Sequence, residues 1–78
     1  MDKSKLYRSI PKVDVLLADE EIQGLIEAYS RETVMEAIRS ETDALRAFIG
    51  ACQDEEEARA KTERLKADIE ERVKAINT

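Results

Sequence analysis

Few residues in this 78-residue chain could do catalytic or metal chemistry. There is no histidine, so the commonest general base and metal ligand is missing. The single cysteine, Cys52, cannot form an internal disulfide or a zinc site by itself, and it lies on an apolar stripe where a packing role is expected. No glycine-rich phosphate loop occurs. We therefore expect no catalytic residue and no metal or cofactor site within this chain.

Four consecutive acids at 54–57 are the one run that suggests a cation site. Consecutive residues of a helix point in different directions, so the four carboxylates would not converge on one ion. The run also coincides with a predicted helix start, where the helix dipole favours negative charge. It therefore predicts a solvated helix N-terminus.

The distribution of basic residues is uneven. The chain has a net charge of −5, which argues against nucleic-acid binding by its whole surface. Residues 1–18 are the exception, because they hold four bases and two acids. Arg31 and Arg39 add two bases that lie two helical turns apart on one predicted helix.

The longest predicted helix, residues 30–52, is the element around which the others are expected to pack. Its apolar positions recur at steps of three and four, which places them on one helical face. Ser30 is a favourable N-cap residue, and Glu32 lies in the first turn, where an acid is favoured. The stripe consists of Val34, Ile38, Leu45, Ile49 and Cys52, with Thr42 in its gap.

Shorter helices are predicted before it, within residues 6–29. Pro11 disfavours helical geometry at the preceding residue, so the first helix should end near Ser9. Asp19 is the next N-cap candidate, for a helix that reaches Tyr29. The sequence leaves open whether residues 12–29 form one bent helix or two short ones.

A second long helix is predicted over residues 54–77. Asp54 with Glu57 matches a capping box, and apolar residues then recur by three and four as far as Ile76. Acid-before-base pairs at i, i+4 support this helix. The pairs are Glu55/Arg59, Glu57/Lys61, Asp68/Arg72 and Glu70/Lys74.

These elements predict an all-α fold. Residues 1–78 should form a single small domain, with short N-terminal helices packed on a long antiparallel αα-hairpin. No apolar run is long enough to cross a membrane, and no signal peptide is present, so we expect a cytoplasmic protein without a membrane partner.

Three motifs resemble the start of bacterial selenocysteine synthase, L-seryl-tRNA(Sec) selenium transferase. They are Tyr-Arg-Ser-Ile-Pro-Lys-Val-Asp-Val-Leu-Leu at 7–17, Leu-Ile-Glu-Ala-Tyr-Ser-Arg at 25–31 and Val-Met-Glu-Ala-Ile-Arg at 34–39. Ser30 departs from the family, which has glycine at this position. The resemblance covers roughly residues 6–49.

The resemblance implies that the chain is a fragment of a larger enzyme. That parent uses pyridoxal phosphate on a Schiff-base lysine, with selenophosphate as donor, to convert seryl-tRNA(Sec) to selenocysteinyl-tRNA(Sec). It assembles as a large homo-oligomer. This chain would be its N-terminal domain, with no cofactor of its own, and its partners would be tRNA(Sec) and the parent's catalytic domain.

The resemblance also directs attention to five bases as RNA-binding residues: Lys5, Arg8, Lys12, Arg31 and Arg39. They would converge into one patch if the short helices folded back beside the start of the central helix. The alternative is that Arg8 or Arg31 pairs with a nearby acid, such as Asp14 or Glu27, and serves the fold.

Two other functions compete with RNA recognition. The chain could be a protein-interaction or oligomerisation module that exposes part of its last stripe, Leu65, Ile69, Val73 and Ile76. A helix-turn-helix DNA-binding domain is disfavoured by the acidity and by the lack of a basic recognition helix.

Overall fold

The computed structural model describes residues 3–76, which form six helices and no strand. The all-α prediction is therefore confirmed, while the predicted domain limits at residues 1, 77 and 78 lie outside the described residues. In chain order the helices are α1 (Lys3–Ser9), α2 (Val13–Ala18), α3 (Glu20–Ala28), α4 (Arg31–Ala51), α5 (Glu55–Glu63) and α6 (Leu65–Ile76).

Polar side chains cap three of these helices where the sequence predicted caps. The Ser30 hydroxyl accepts a hydrogen bond from the Thr33 N–H at the start of α4. The Asp19 carboxylate accepts a hydrogen bond from the Glu21 N–H and so caps α3. Because Asp19 lies between α2 and α3, residues 12–29 form two helices. At the start of α5 the Asp54 carboxylate accepts from Glu56 N–H, which satisfies one of the free donors of the first turn.

The core lies between α4 and the helices that surround it. The predicted α4 stripe is buried in full, and Leu6, Ile10, Leu16 and Ile22 of the N-terminal segment join the same cluster. From the end of the chain, Leu65, Ile69 and Val73 are also buried, whereas Ile76 remains 37% exposed.

The second arm of the hairpin is bent. The sequence predicts one helix from Asp54 to Ile76, but the structure interrupts it at Arg64, whose ψ angle is 1°. Two ion pairs near this interruption differ from the i, i+4 pairs that the sequence predicted. Lys61 reaches across the bend to Asp68 at 3.0 Å, and Arg72 binds Glu41 of α4 at 2.7 Å, so the predicted pairs Glu57/Lys61 and Asp68/Arg72 do not form.

The first helix lies against the C-terminal end of α4. Lys3 Nζ donates to the Gly50 carbonyl oxygen at 2.6 Å. A Cβ at Gly50 would lie 3.2 Å from the Tyr7 hydroxyl oxygen, so the missing side chain makes room for this approach. The loop and helix that follow, at Pro11, Val15 and Leu16, line a groove with the residues around the bend.

The third helix returns along α4 and α6 toward the start of α4. At its N-terminus, Asp19 accepts a hydrogen bond from Lys66 Nζ at 3.0 Å, which ties the α2–α3 junction to α6. Among residues 3–76, no helix combines the length and the apolar character needed to cross a membrane.

Candidate nucleic-acid interface

The five bases proposed for RNA contact are all exposed to solvent. Within residues 3–76, none of them forms an ion pair or a side-chain hydrogen bond. The structure therefore contains neither of the structural pairings considered above, Arg8 or Arg31 with Asp14 or Glu27. Two of these bases, Lys5 and Arg8, lie in α1. Lys12 lies just before α2, and Arg31 and Arg39 lie in α4.

The other bases are engaged in the fold. Lys3 donates to a backbone carbonyl of α4. Seven more form ion pairs with carboxylates: Arg46, Arg59, Lys61, Arg64, Lys66, Arg72 and Lys74. The four bases within the family motifs, Arg8, Lys12, Arg31 and Arg39, are thus among those that have no ion pair within residues 3–76.

The structure does not bring these five bases into one patch. Because α1 is held at Gly50, its bases lie near the end of α4, whereas Arg31 is the first residue of that helix. Nineteen residues separate Arg31 from Gly50, or about 28 Å at 1.5 Å per residue. Convergence into a single patch required the short helices to fold back beside the start of α4, and α1 does not meet this condition, because it packs beside the opposite end of that helix.

The bases form two groups instead. We call Lys5, Arg8 and Lys12 the α1–α2 group, and Arg31 and Arg39 the α4 group. The α4 group lines a shallow groove of about 450 Å³. The remaining residues of this groove are Glu32, Met35, Glu36, Ser40 and Asp43. Acids thus alternate with the two guanidinium groups along α4.

Within the α1–α2 group, Lys5 lies near both acids and a base. It lines a groove of about 320 Å³ between α1 and α5, together with Glu55, Arg59 and Glu63. Arg59 pairs with Glu55, whereas Glu63 forms no ion pair among residues 3–76. Because nearby carboxylates reduce the local attraction for phosphate, Glu63 weakens phosphate binding at Lys5.

The acid run and the cysteine have structural partners. Asp54 caps α5, and Glu55 pairs with Arg59 at 3.2 Å. The buried Cys52 thiol donates to the Asp54 carbonyl oxygen at 3.0 Å. In the described part of the chain, no group of three or more potential metal-binding side chains comes together.

Two described lysines, Lys61 and Lys66, differ from the Schiff-base lysine of a pyridoxal phosphate site. Such a lysine needs a lowered pKa, which comes from burial or from a neighbouring cation. Lys66 shows the opposite, because its hydrogen bond to the Asp19 carboxylate raises the pKa of its ammonium group. Lys61 is similarly committed to Asp68.

Sequence reasoning missed two contacts that hold the helices in place. Glu41 and Arg72 are 31 positions apart, and Asp19 and Lys66 are 47 apart. Glu41 is itself buried, and its charge, together with its hydrogen bond, raises the pKa of Arg72. Local sequence spacing cannot predict pairs between residues so far apart. The position of the acid Glu41 beside the apolar stripe was the one feature of the sequence that could have suggested a buried ion pair.

Comparison with known proteins decides the family. Residues 7–46, just over half of the chain, match the family model described as selenocysteine synthase N terminal. This chain belongs to the selenocysteine synthase N-terminal family. The match covers α2, α3, most of α4 and the last three residues of α1, and it includes Arg8, Lys12, Arg31 and Arg39 but not Lys5. Family membership supports a role in selenocysteine biosynthesis.

A curated relative is an L-seryl-tRNA(Sec) selenium transferase from Geotalea daltonii. It is 43% identical over 44 residues, which are 56% of this chain. The matched region spans only 10% of that relative's length, so the selenocysteine synthase N-terminal domain is a small part of such an enzyme. No solved structure matches the chain significantly.

Proposed function

We propose that this domain recognises tRNA(Sec) for a selenium transferase that converts seryl-tRNA(Sec) to selenocysteinyl-tRNA(Sec). The observation that carries the proposal is the contrast among its bases. Four exposed bases without an acidic partner, Arg8, Lys12, Arg31 and Arg39, lie inside the family match, while Arg46 in the same region is paired with Asp43. An unpaired guanidinium can engage two phosphate oxygens with its planar donors.

The acidity of the domain is compatible with this role. RNA recognition by shape and backbone contact needs local bases rather than a basic surface. Carboxylates elsewhere, such as Glu32 and Glu36 beside the α4 group, weaken non-specific attraction to phosphate. This favours a domain that selects one tRNA over others.

The catalytic chemistry is placed elsewhere in this proposal. Pyridoxal phosphate and its Schiff-base lysine belong to the catalytic domain of the parent enzyme, which is a cytoplasmic homo-oligomer. The domain described here would present the tRNA to that catalytic domain. Lys61 and Lys66 are paired with carboxylates, and the hydrogen bond to Asp19 raises the pKa of Lys66, which suits ion pairing rather than covalent catalysis.

A salt-dependent titration of the 78-residue chain against tRNA(Sec) and tRNA(Ser) tests the proposal. We expect tighter binding of tRNA(Sec). Charge reversal by Arg8→Glu with Arg31→Glu should weaken that binding and reduce the dependence of log K on log salt by about one unit per lost phosphate contact. Both side chains are exposed and lack partners among residues 3–76, so thermal stability should be unchanged.

The matched control is Arg59→Glu with Lys74→Glu. These variants change the net charge equally, but each base is already paired within its own helix, to Glu55 and Glu70. We expect a smaller change in the salt dependence. Unchanged RNA binding by the Arg8/Arg31 variant, combined with a lower Tm, would instead assign both arginines to the fold.

The competing protein-interaction function loses most of its proposed surface. Leu65, Ile69 and Val73 are at most 3% exposed, so they are occupied within the domain. Of that stripe, Ile76 alone remains accessible. We therefore retain RNA recognition as the proposed function.

A further inference from the structure

We infer that the α1–α2 group and the α4 group contact one RNA at two separate points, and that the RNA feature recognised is a duplex long enough to bridge them. This inference rests on the proposed function and specifies which class of RNA surface the domain takes.

The two groups lie far apart along the domain. The 21 residues of α4 extend over about 31 Å. The molecule measures 39 × 24 × 15 Å, so α4 can only lie along its long dimension. The bond from Lys3 to Gly50 fixes α1 near one end of that dimension, and Arg31 begins α4 near the other. A ligand that touches both must follow the length of the domain.

On α4, no base between Arg39 and Gly50 is without an acidic partner within residues 3–76. Arg46 lies on α4 between Arg39 and Gly50, but it is paired with Asp43 at 3.7 Å. Asp43 also lines the α4 groove. A flexible anionic chain would gain little attraction along this stretch, because its base is paired. A rigid RNA can span the stretch and place phosphates against the bases at both ends.

The aromatic residues near the two groups bear on the kind of RNA that would bind. Proteins that bind single strands stack bases on exposed aromatic side chains. No aromatic residue lines the α4 groove. Tyr29 is half-buried against the core, while Tyr7 and Phe48, which are 42% and 37% exposed, lie outside that groove. The α4 group therefore has no stacking platform in its groove, which suits the backbone of a duplex, read by its shape and by phosphate contacts.

The experiment compares two RNA duplexes against two double variants of the 78-residue chain. One duplex has about 16 base pairs, the length over which a double-stranded-RNA-binding domain contacts two successive minor grooves, and the other about half as many. The variants are Arg8→Gln with Lys12→Gln, and Arg31→Gln with Arg39→Gln. Kd is measured at one fixed salt concentration, and circular dichroism checks that each variant is folded.

On the long duplex we expect either double variant to raise Kd by at least about tenfold, because each removes the gain from simultaneous contact at two points. On the short duplex either variant should change Kd by no more than about twofold, since the other group still binds. If a variant changes Kd by the same factor on both duplexes, or if one variant has no effect on the long duplex, the bridging inference is overturned.

Binding of tRNA(Sec) to the unaltered chain distinguishes failure of the bridging inference from failure of the proposed function. If tRNA(Sec) binds in preference to tRNA(Ser) but the duplex results show no bridging, the proposed function stands and only the inference fails. If neither tRNA(Sec) nor the long duplex binds, both fail.

Discussion

Ile38 shows how a single side chain is committed to this fold. It lies in the middle of the α4 stripe and is completely buried, in the same cluster as Ile22 and Ile69. Its position was predictable because the three-and-four spacing of α4 leaves one face for the core. Val15 is its counterpart on the surface, with 62% of its area exposed.

Truncation at these two positions should therefore have unequal effects. Ile38→Ala should lower the free energy of unfolding by about 2–5 kcal/mol, the cost of emptying a buried aliphatic site. Val15→Ala should change it by less than about 0.5 kcal/mol, as for surface positions generally. Urea titrations of both variants measure this. A loss below about 1 kcal/mol at Ile38 would mean that this face is not the core.

Between helices, Asp19 has the widest structural role. Its carboxylate caps α3 and binds Lys66 of α6 at 3.0 Å. The hydrogen bond from Lys66 and the backbone N–H donors hold the pKa of Asp19 below its ordinary value of 3.8. A carboxyl group with a lowered pKa stabilises the fold when it is ionised, so this contribution is present above the unfolded-state pKa and is lost as the pH falls through the folded-state pKa.

Asp19→Asn should reveal that contribution, because asparagine still caps a helix but carries no charge. Between pH 5 and pH 8 or so, the variant should be less stable than the unaltered chain by a constant amount. Below about pH 4 the difference should shrink, as Asp19 becomes protonated in both states. Thermal unfolding across this pH range measures it. A difference that persists unchanged to about pH 2 would exclude the charge of Asp19 as its cause.

The starts of three helices were easier to predict than the bend that divides the C-terminal arm. Ser30, Asp19 and Asp54 signal their helices by local chemistry, since each can satisfy a free N–H of the next turn. The bend at Arg64 has no such signal, because the apolar stripe continues through it. Its ion pair between Lys61 and Asp68 spans seven residues, outside the i, i+4 pattern.

For the whole molecule, the residues of the candidate interface were predictable but their arrangement was not. The family motifs pointed to Arg8 and Arg31, and the structure leaves both exposed and without an acidic partner among residues 3–76. Their separation depends on where α1 docks. That position depends on Lys3 and Tyr7 meeting Gly50, a contact between segments more than 40 residues apart. Local spacing carries no information about such a contact.

The bend at Arg64 also divides the domain into parts that need not open together. Helix α6 contributes Leu65, Ile69 and Val73 to the core, whereas α5 contributes only Ala58. Backbone amides of α5 should therefore exchange with deuterium faster than those of α6, through local opening that leaves the α4–α6 pair intact. Residue-resolved exchange by NMR measures this. Equal protection in the two helices would show that the arm opens as one unit. A lower opening free energy in α5 would instead let α5, which contacts α1, rearrange when α1 binds a ligand while α6 stays in place.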